Sequence, residues 1–157
     1  MPSVPQLTLI DPIDITPFGG NLLRVCDVNG DGESEYVILQ SPGQFQSQVR
    51  DWKNSGVTPR DQDVFCITVI DSSGNVLWQY GSPWPEPMNP YVSHGSGDQL
   101  VIDDVDGDGE LEIVTVRKDE LLILAASCGR IKNSTRLPAD NFTRLATARL
   151  RGKRDGC

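Results

Sequence analysis

Twice in its 157 residues the chain carries a nine-residue acidic segment that runs directly into a β-like run. The first is Asp27-Val28-Asn29-Gly30-Asp31-Gly32-Glu33-Ser34-Glu35, followed by Tyr36-Val37-Ile38-Leu39. The second is Asp104-Val105-Asp106-Gly107-Asp108-Gly109-Glu110-Leu111-Glu112, followed by Ile113-Val114-Thr115-Val116. In both, oxygen-bearing side chains fall at positions 1, 3, 5 and 9, with glycine at positions 4 and 6. Carboxylates packed this densely repel one another unless a cation lies between them. Hard oxygen donors on alternate residues, with glycines letting the backbone wrap, suit Ca²⁺, which takes about six to eight oxygens. An ordinary turn rich in Asp and Gly has no reason to repeat the same offsets.

An EF-hand is the commonest protein with such a loop, and the flanks argue against it. That motif needs a bidentate Glu at position 12 and a helix on each side. Here position 12 is Ile38 in one loop and Thr115 in the other, and β-branched runs follow both. Dockerin modules share the Asp-x-Asn-Gly-Asp-Gly loop but continue into helices, so they fail on the same ground.

Between turn signals, period-two runs fall into two groups of four. The first group comprises residues 21–26, the acidic loop, 35–40, then 64–70 and 76–80, with Asp71-Ser72-Ser73-Gly74-Asn75 as a hairpin turn. The second comprises 99–103, the acidic loop, 111–117, 121–126 and 130–137, with turns at Lys118-Asp119-Glu120 and Cys128-Gly129. Each group reads strand, acidic loop, strand, turn, strand, turn, strand. The loops begin 77 residues apart because residues 41–63 and 81–97 are long connections. Fifteen Gly and 11 Pro, with 38% apolar residues, fit an all-β chain with many turns. Four-stranded antiparallel units repeated radially are the blades of a β-propeller. Residues 5–10 read as the outermost strand of another blade, and 142–150 as the first strand of a third. The segment after it, Arg151-Gly152-Lys153-Arg154-Asp155, lacks the carboxylates for a third metal loop.

With the loops placed between first and second strands, the chain resembles the FG-GAP or VCBS-type β-propeller repeat of integrin α-subunit heads and many bacterial secreted proteins. The resemblance covers residues 20–137 and is strongest over 100–116. It implies side-chain calcium ligands at Asp27, Asn29, Asp31 and Glu35, with the Glu33 carbonyl. In the second loop it implies Asp104, Asp106, Asp108 and Glu112, with the Glu110 carbonyl. The implied organisation is one partial propeller region over 1–157: blade one over about 20–81, blade two over about 98–137, and the start of a third over 142–157. A Phe-Gly-Gly-Ala-Pro signature is not intact; Pro17-Phe18-Gly19-Gly20 is a partial echo. Propellers close with about four to eight blades, so further blades or copies are needed to complete a ring. The implied setting is extracellular or cell-surface, although no signal peptide follows Met1.

A narrower likeness runs from Val69 to Gly81 and on through His94 to the second loop, which is similar to bacterial rhamnogalacturonan lyases, calcium-binding propellers that cleave pectin. The shared segments are scaffold, not a catalytic set. The reading is therefore a calcium-binding module for binding or scaffolding, with a polysaccharide or protein ligand. The alternative is a fragment of a rhamnogalacturonan-lyase-like polysaccharide lyase.

Catalytic candidates are few. His94 is the single histidine, in a Gly-rich loop, and a lone loop histidine is more often solvated than functional. Arg117 and Lys118 are the basic residues near the second loop. Trp52 and Trp84, in the long connections, are candidates for stacking on sugar rings, whereas Trp78 reads as core or blade-to-blade packing. The net charge of −8 discourages non-specific nucleic-acid binding. Basic residues gather in 129–157, eight against two acidic ones, and read as a solvated face. No apolar run is long enough to span a membrane. Cys26 and Cys66 lie in apolar runs and read as small core side chains, while Cys128 and Cys157 read as exposed.

Overall fold

The computed structural model describes residues 12–19, 22–40, 65–83, 99–139, 142 and 144–148. Eight strands follow a short 3₁₀ turn at Thr16–Phe18. They are β1 (Leu22–Cys26), β2 (Glu35–Gln40), β3 (Cys66–Ile70), β4 (Val76–Gly81), β5 (Leu100–Asp103), β6 (Glu112–Arg117), β7 (Glu120–Ala125) and β8 (Ile131–Arg136). They form two four-stranded antiparallel sheets, ordered β1-β2-β3-β4 and β5-β6-β7-β8. All eight expected strands are present, most within a residue or two of their predicted bounds. The turn expected over Lys118-Asp119-Glu120 closes tighter, because Glu120 already pairs with Arg117. Lys118 takes up the sharp reversal at φ 55°.

The two sheets repeat each other in register. Glu35 opens β2 opposite Cys26, and Glu112 opens β6 opposite Asp103. Each sheet has a bulge at the same place, between its third and fourth strands. Val69 pairs with Trp78 and Ile70 with Val76, so Leu77 is the extra residue. Ile123 pairs with Asn133 and Leu124 with Ile131, so Lys132 is its counterpart.

One hydrophobic core joins both sheets. Val37, Leu39, Ile67 and Val69 come from the first sheet, and Ile113, Leu122 and Leu124 from the second. By the shared register Val37 corresponds to Val114 and Tyr36 to Ile113, so the sheets meet through non-equivalent faces. Ile38, Ile70, Val114 and Val116 are buried as well but stand outside that core. Central strands covered on both faces explain why β2, β3 and β6 read as nearly unbroken apolar runs.

The outer strand β4 ties the sheets together. Trp78 lies between them as the sequence suggests, its Nε1–H donating to the Ala126 carbonyl at 2.9 Å. Gly129 passes so close to the indole that a Cβ there would meet Trp78 Cε3 at 2.5 Å. Tyr80 meets Phe65 edge-on with centroids 6.1 Å apart, and the Arg117 guanidinium lies 6.0 Å from the Phe65 centroid. At the other side, β1 and β5 flank one shallow cleft lined by Arg24, Val25, Cys26, Leu100, Val101 and Ile102. Equivalent edges of the two sheets therefore lie on the same side.

Cys66 is buried, Cys26 is half-buried against the core and Cys128 is exposed; all three are free thiols. Burial pushes the Cys26 and Cys66 thiols up. Phe142 and residues 144–148 carry no strand ladder. They lean on the second sheet through Gln99, whose Nε2 donates to the Phe142 carbonyl, and through Thr147, whose hydroxyl donates to Asp103 Oδ2 at 2.7 Å. Residues 5–10, Trp52, Trp84, His94 and Cys157 lie outside the described residues. Among the described residues, no helix is long and apolar enough to cross a membrane.

Candidate metal centre

Each acidic segment is the connection between the first and second strands of its sheet, and its own side chains fold it. The carboxylate at position 1 accepts from the amides at positions 4 and 6. Gly30 and Gly32 donate to Asp27 at 2.6 and 2.9 Å, and Gly107 and Gly109 donate to Asp104 at 2.7 and 3.2 Å. Only a left-handed backbone turns both amides inward, and all four glycines sit at φ between 79° and 92°. The next two turns are built alike. Asp31 N–H donates to Asn29 Oδ1 at 2.9 Å and Glu33 N–H to Asp31 Oδ1 at 2.8 Å. Asp108 N–H donates to Asp106 Oδ1 at 3.2 Å and Glu110 N–H to Asp108 Oδ1 at 2.8 Å.

The glutamate at position 9 closes the loop from behind. It is the first residue of the second strand, so pairing with the first strand fixes it at the loop's base. Glu35 and Glu112 are both buried, and each accepts from the position-2 amide, Val28 at 2.8 Å and Val105 at 2.9 Å. The second carboxylate oxygen differs between the loops. Glu35 Oε1 accepts from Asn29 Nδ2 at 3.4 Å, while Glu112 Oε1 accepts from Lys132 Nζ at 2.8 Å.

Lys132 makes the second loop distinct. Its ammonium lies 2.7 Å from Asp106 Oδ2, 2.7 Å from Asp108 Oδ2 and 2.8 Å from Glu112 Oε1. Asp104, Asp106 and Asp108 each offer an oxygen within 4.8 Å of the others. The geometry gathers carboxylates around a positive charge. Asp106 foremost, with Asp108 and Glu112, holds the Lys132 ammonium well above its ordinary pKa. Lys132 foremost, with the Glu110 amide, holds Asp108 below the usual carboxylate range. In the first loop the Gly32 amide foremost, with that of Gly30, lowers Asp27.

The ten residues expected at the two centres all lie in the loops or at their bases, and among the described residues only Asp104, Asp106 and Asp108 bring three acidic oxygens within 4.8 Å of one another. Asp27, Asn29, Asp31 and Glu35 wrap one loop and Asp104, Asp106, Asp108 and Glu112 the other, while Glu33 and Glu110 lend their amides to the wrapping and leave their side chains exposed. A donor set made entirely of oxygen, anionic and spaced for a wrapped backbone, fits a hard cation such as Ca²⁺. No protein-family model, curated protein or solved structure matches the chain.

Sequence reasoning missed Lys132. It lies 20 residues beyond Glu112, in the segment with the weakest strand pattern. It reaches the loop only because β8 returns beside β7 and a bulge re-aims one side chain, which bulges commonly do. A lysine at that bulge, where the other repeat has Leu77, is a signal visible only once the repeats are aligned through their turns. Arg117 is engaged elsewhere, donating to the Tyr80 hydroxyl at 3.4 Å as well as stacking on Phe65.

Proposed function

We propose that the chain is a calcium-binding β-propeller segment of FG-GAP or VCBS type, a binding or scaffold module within a larger extracellular protein. The observation that carries the reading is the second loop, where three aspartates bring oxygens within 4.8 Å of one another. Asp27, Asn29, Asp31 and Glu35 would hold one ion, with Asp104, Asp106, Asp108 and Glu112 holding the other. The Glu33 and Glu110 carbonyls would add a ligand each. A bound Ca²⁺ supplies structural cross-linking, drawing each loop onto the strands that flank it.

Packing between the sheets supports the propeller half of the reading. A two-fold sandwich would bury the same face of each repeat. Here the Val37–Val69 face of one sheet meets the Ile113–Leu124 face of the other, with β1 beside β5. Such a head-to-tail contact can be repeated by rotation and closes only as a ring of several units. The remaining units would be further blades or copies of this chain, and the assembled surface would take a polysaccharide or protein ligand.

Thermal unfolding in chelator, in Mg²⁺ and in Ca²⁺ tests the calcium reading. A cation that binds only the folded state stabilises it by ~2.7 kcal/mol per site at a hundred times its Kd. For a chain of this size that raises Tm by roughly 5–11 °C. Mg²⁺ should do little, since it keeps its waters and demands a compact octahedron. Equal midpoints in chelator and millimolar Ca²⁺ would sink the proposal.

A further inference from the structure

We propose that Lys132 is a tethered counter-ion that competes with calcium for the second loop, so that the two loops differ in metal dependence. The inference rests on the calcium reading of both loops and says how they are tuned. Lys132 and Leu77 are the extra residues of matched bulges, and both bulges stand at the loop end of their sheets. At that place one repeat has an ammonium within 2.8 Å of three carboxylates, and the other has a leucine that is 46% exposed. The oxygens that Lys132 engages belong to positions 3, 5 and 9, those the metal would use.

An ammonium and a divalent cation cannot share those oxygens, because they would stand at van der Waals contact with like charge. Calcium must therefore displace Lys132. The stem starts from an edge strand, β8, so the head can swing into water without disturbing the core. Without metal, the lysine neutralises part of the second loop and keeps it wrapped. The first loop has Asn29 in place of one carboxylate, which relieves repulsion in another way, and among the described residues no ammonium pairs with it. The first loop should thus bind calcium more tightly and lose more order without it.

Titration calorimetry on the folded chain, with Lys132→Met and Leu77→Lys, tests this. The wild type should show one tight site and one weaker on the order of tenfold, within the usual span of coupling between two ligands. Lys132→Met should bring the sites within about threefold of each other, and in chelator should speed hydrogen exchange at the Gly107 and Gly109 amides. Leu77→Lys, at an exposed position, should weaken the first site on the order of tenfold and serves if the other variant folds poorly. Two equal wild-type sites, unmoved by either substitution, would overturn the inference and leave the calcium reading standing. Absence of calcium binding in all three proteins would overturn both.

Discussion

Replacing Glu112 by glutamine keeps its size and removes its charge, and the structure gives the cost. Glu112 is fully buried, with Oε2 accepting from the Val105 amide and Oε1 from the Lys132 ammonium. Both partners are donors. A glutamine can turn its carbonyl to only one of them, and its NH₂ then faces the other donor. One charge-assisted bond becomes neutral and the other becomes a buried mismatch, together worth about 2–4 kcal/mol. At roughly 2–4 °C per kcal/mol, Tm should fall by about 4–16 °C in chelator. Glu35→Gln should cost less, about 1–2 kcal/mol, because the second partner of Glu35 is the exposed Asn29 amide at 3.4 Å. Urea unfolding in chelator, with both variants and the wild type fitted to a common m-value, reads the difference. A loss below ~0.5 kcal/mol for Glu112→Gln, or the reverse order of the two variants, would refute the picture of a buried acceptor clamped between two donors.

Trp78→Phe removes the donor to the Ala126 carbonyl between the sheets and should cost about 1–3 kcal/mol by the same denaturation assay; a neutral result would mean that bond contributes nothing to sheet packing. Acid should loosen the β3–β4 hairpin. The Asn75 side chain and amide hold Asp71 below its ordinary 3.8, so its stabilisation is present above about pH 4 and fades as pH falls through the lowered value. Asp71→Asn should flatten that acid limb in urea midpoints measured from pH 6 to pH 2. The isolated chain should also associate at micromolar concentration, since β1 is a sheet edge that exposes Leu23 and Val25. Val25→Lys should shift light scattering toward monomer, and unchanged scattering would place the contact elsewhere.

Much of this architecture can be read from the residues. Loops that wrap through their own side chains announce themselves by spacing, since each Asp or Asn side chain stands two, three or five residues before the amide it caps and each closing glutamate seven after. Strand ends follow from the same loops, because Glu35 and Glu112 are at once the last loop residues and the first paired ones. The choice of packing face is another matter. Tyr36-Val37-Ile38-Leu39 is apolar at every position, so periodicity does not tell which side meets the second sheet. Lys132 illustrates a second limit: a one-residue bulge decides where its ammonium points, and bulges leave no local sequence mark. The Arg117–Phe65–Tyr80 cluster joins residues from both sheets, a contact set by sheet stacking and not by any local pattern.

Counting bound calcium tests the central claim most directly. Equilibrium dialysis against millimolar free Ca²⁺ with excess Mg²⁺ should retain about two calcium ions per chain, the capacity of two oxygen-only loops. Asp31→Ala and Asp108→Ala should each remove about one, and the double variant nearly both. Retention no greater than that of the double variant, in a wild-type chain shown to be folded by circular dichroism, would contradict the assignment of these loops as calcium centres.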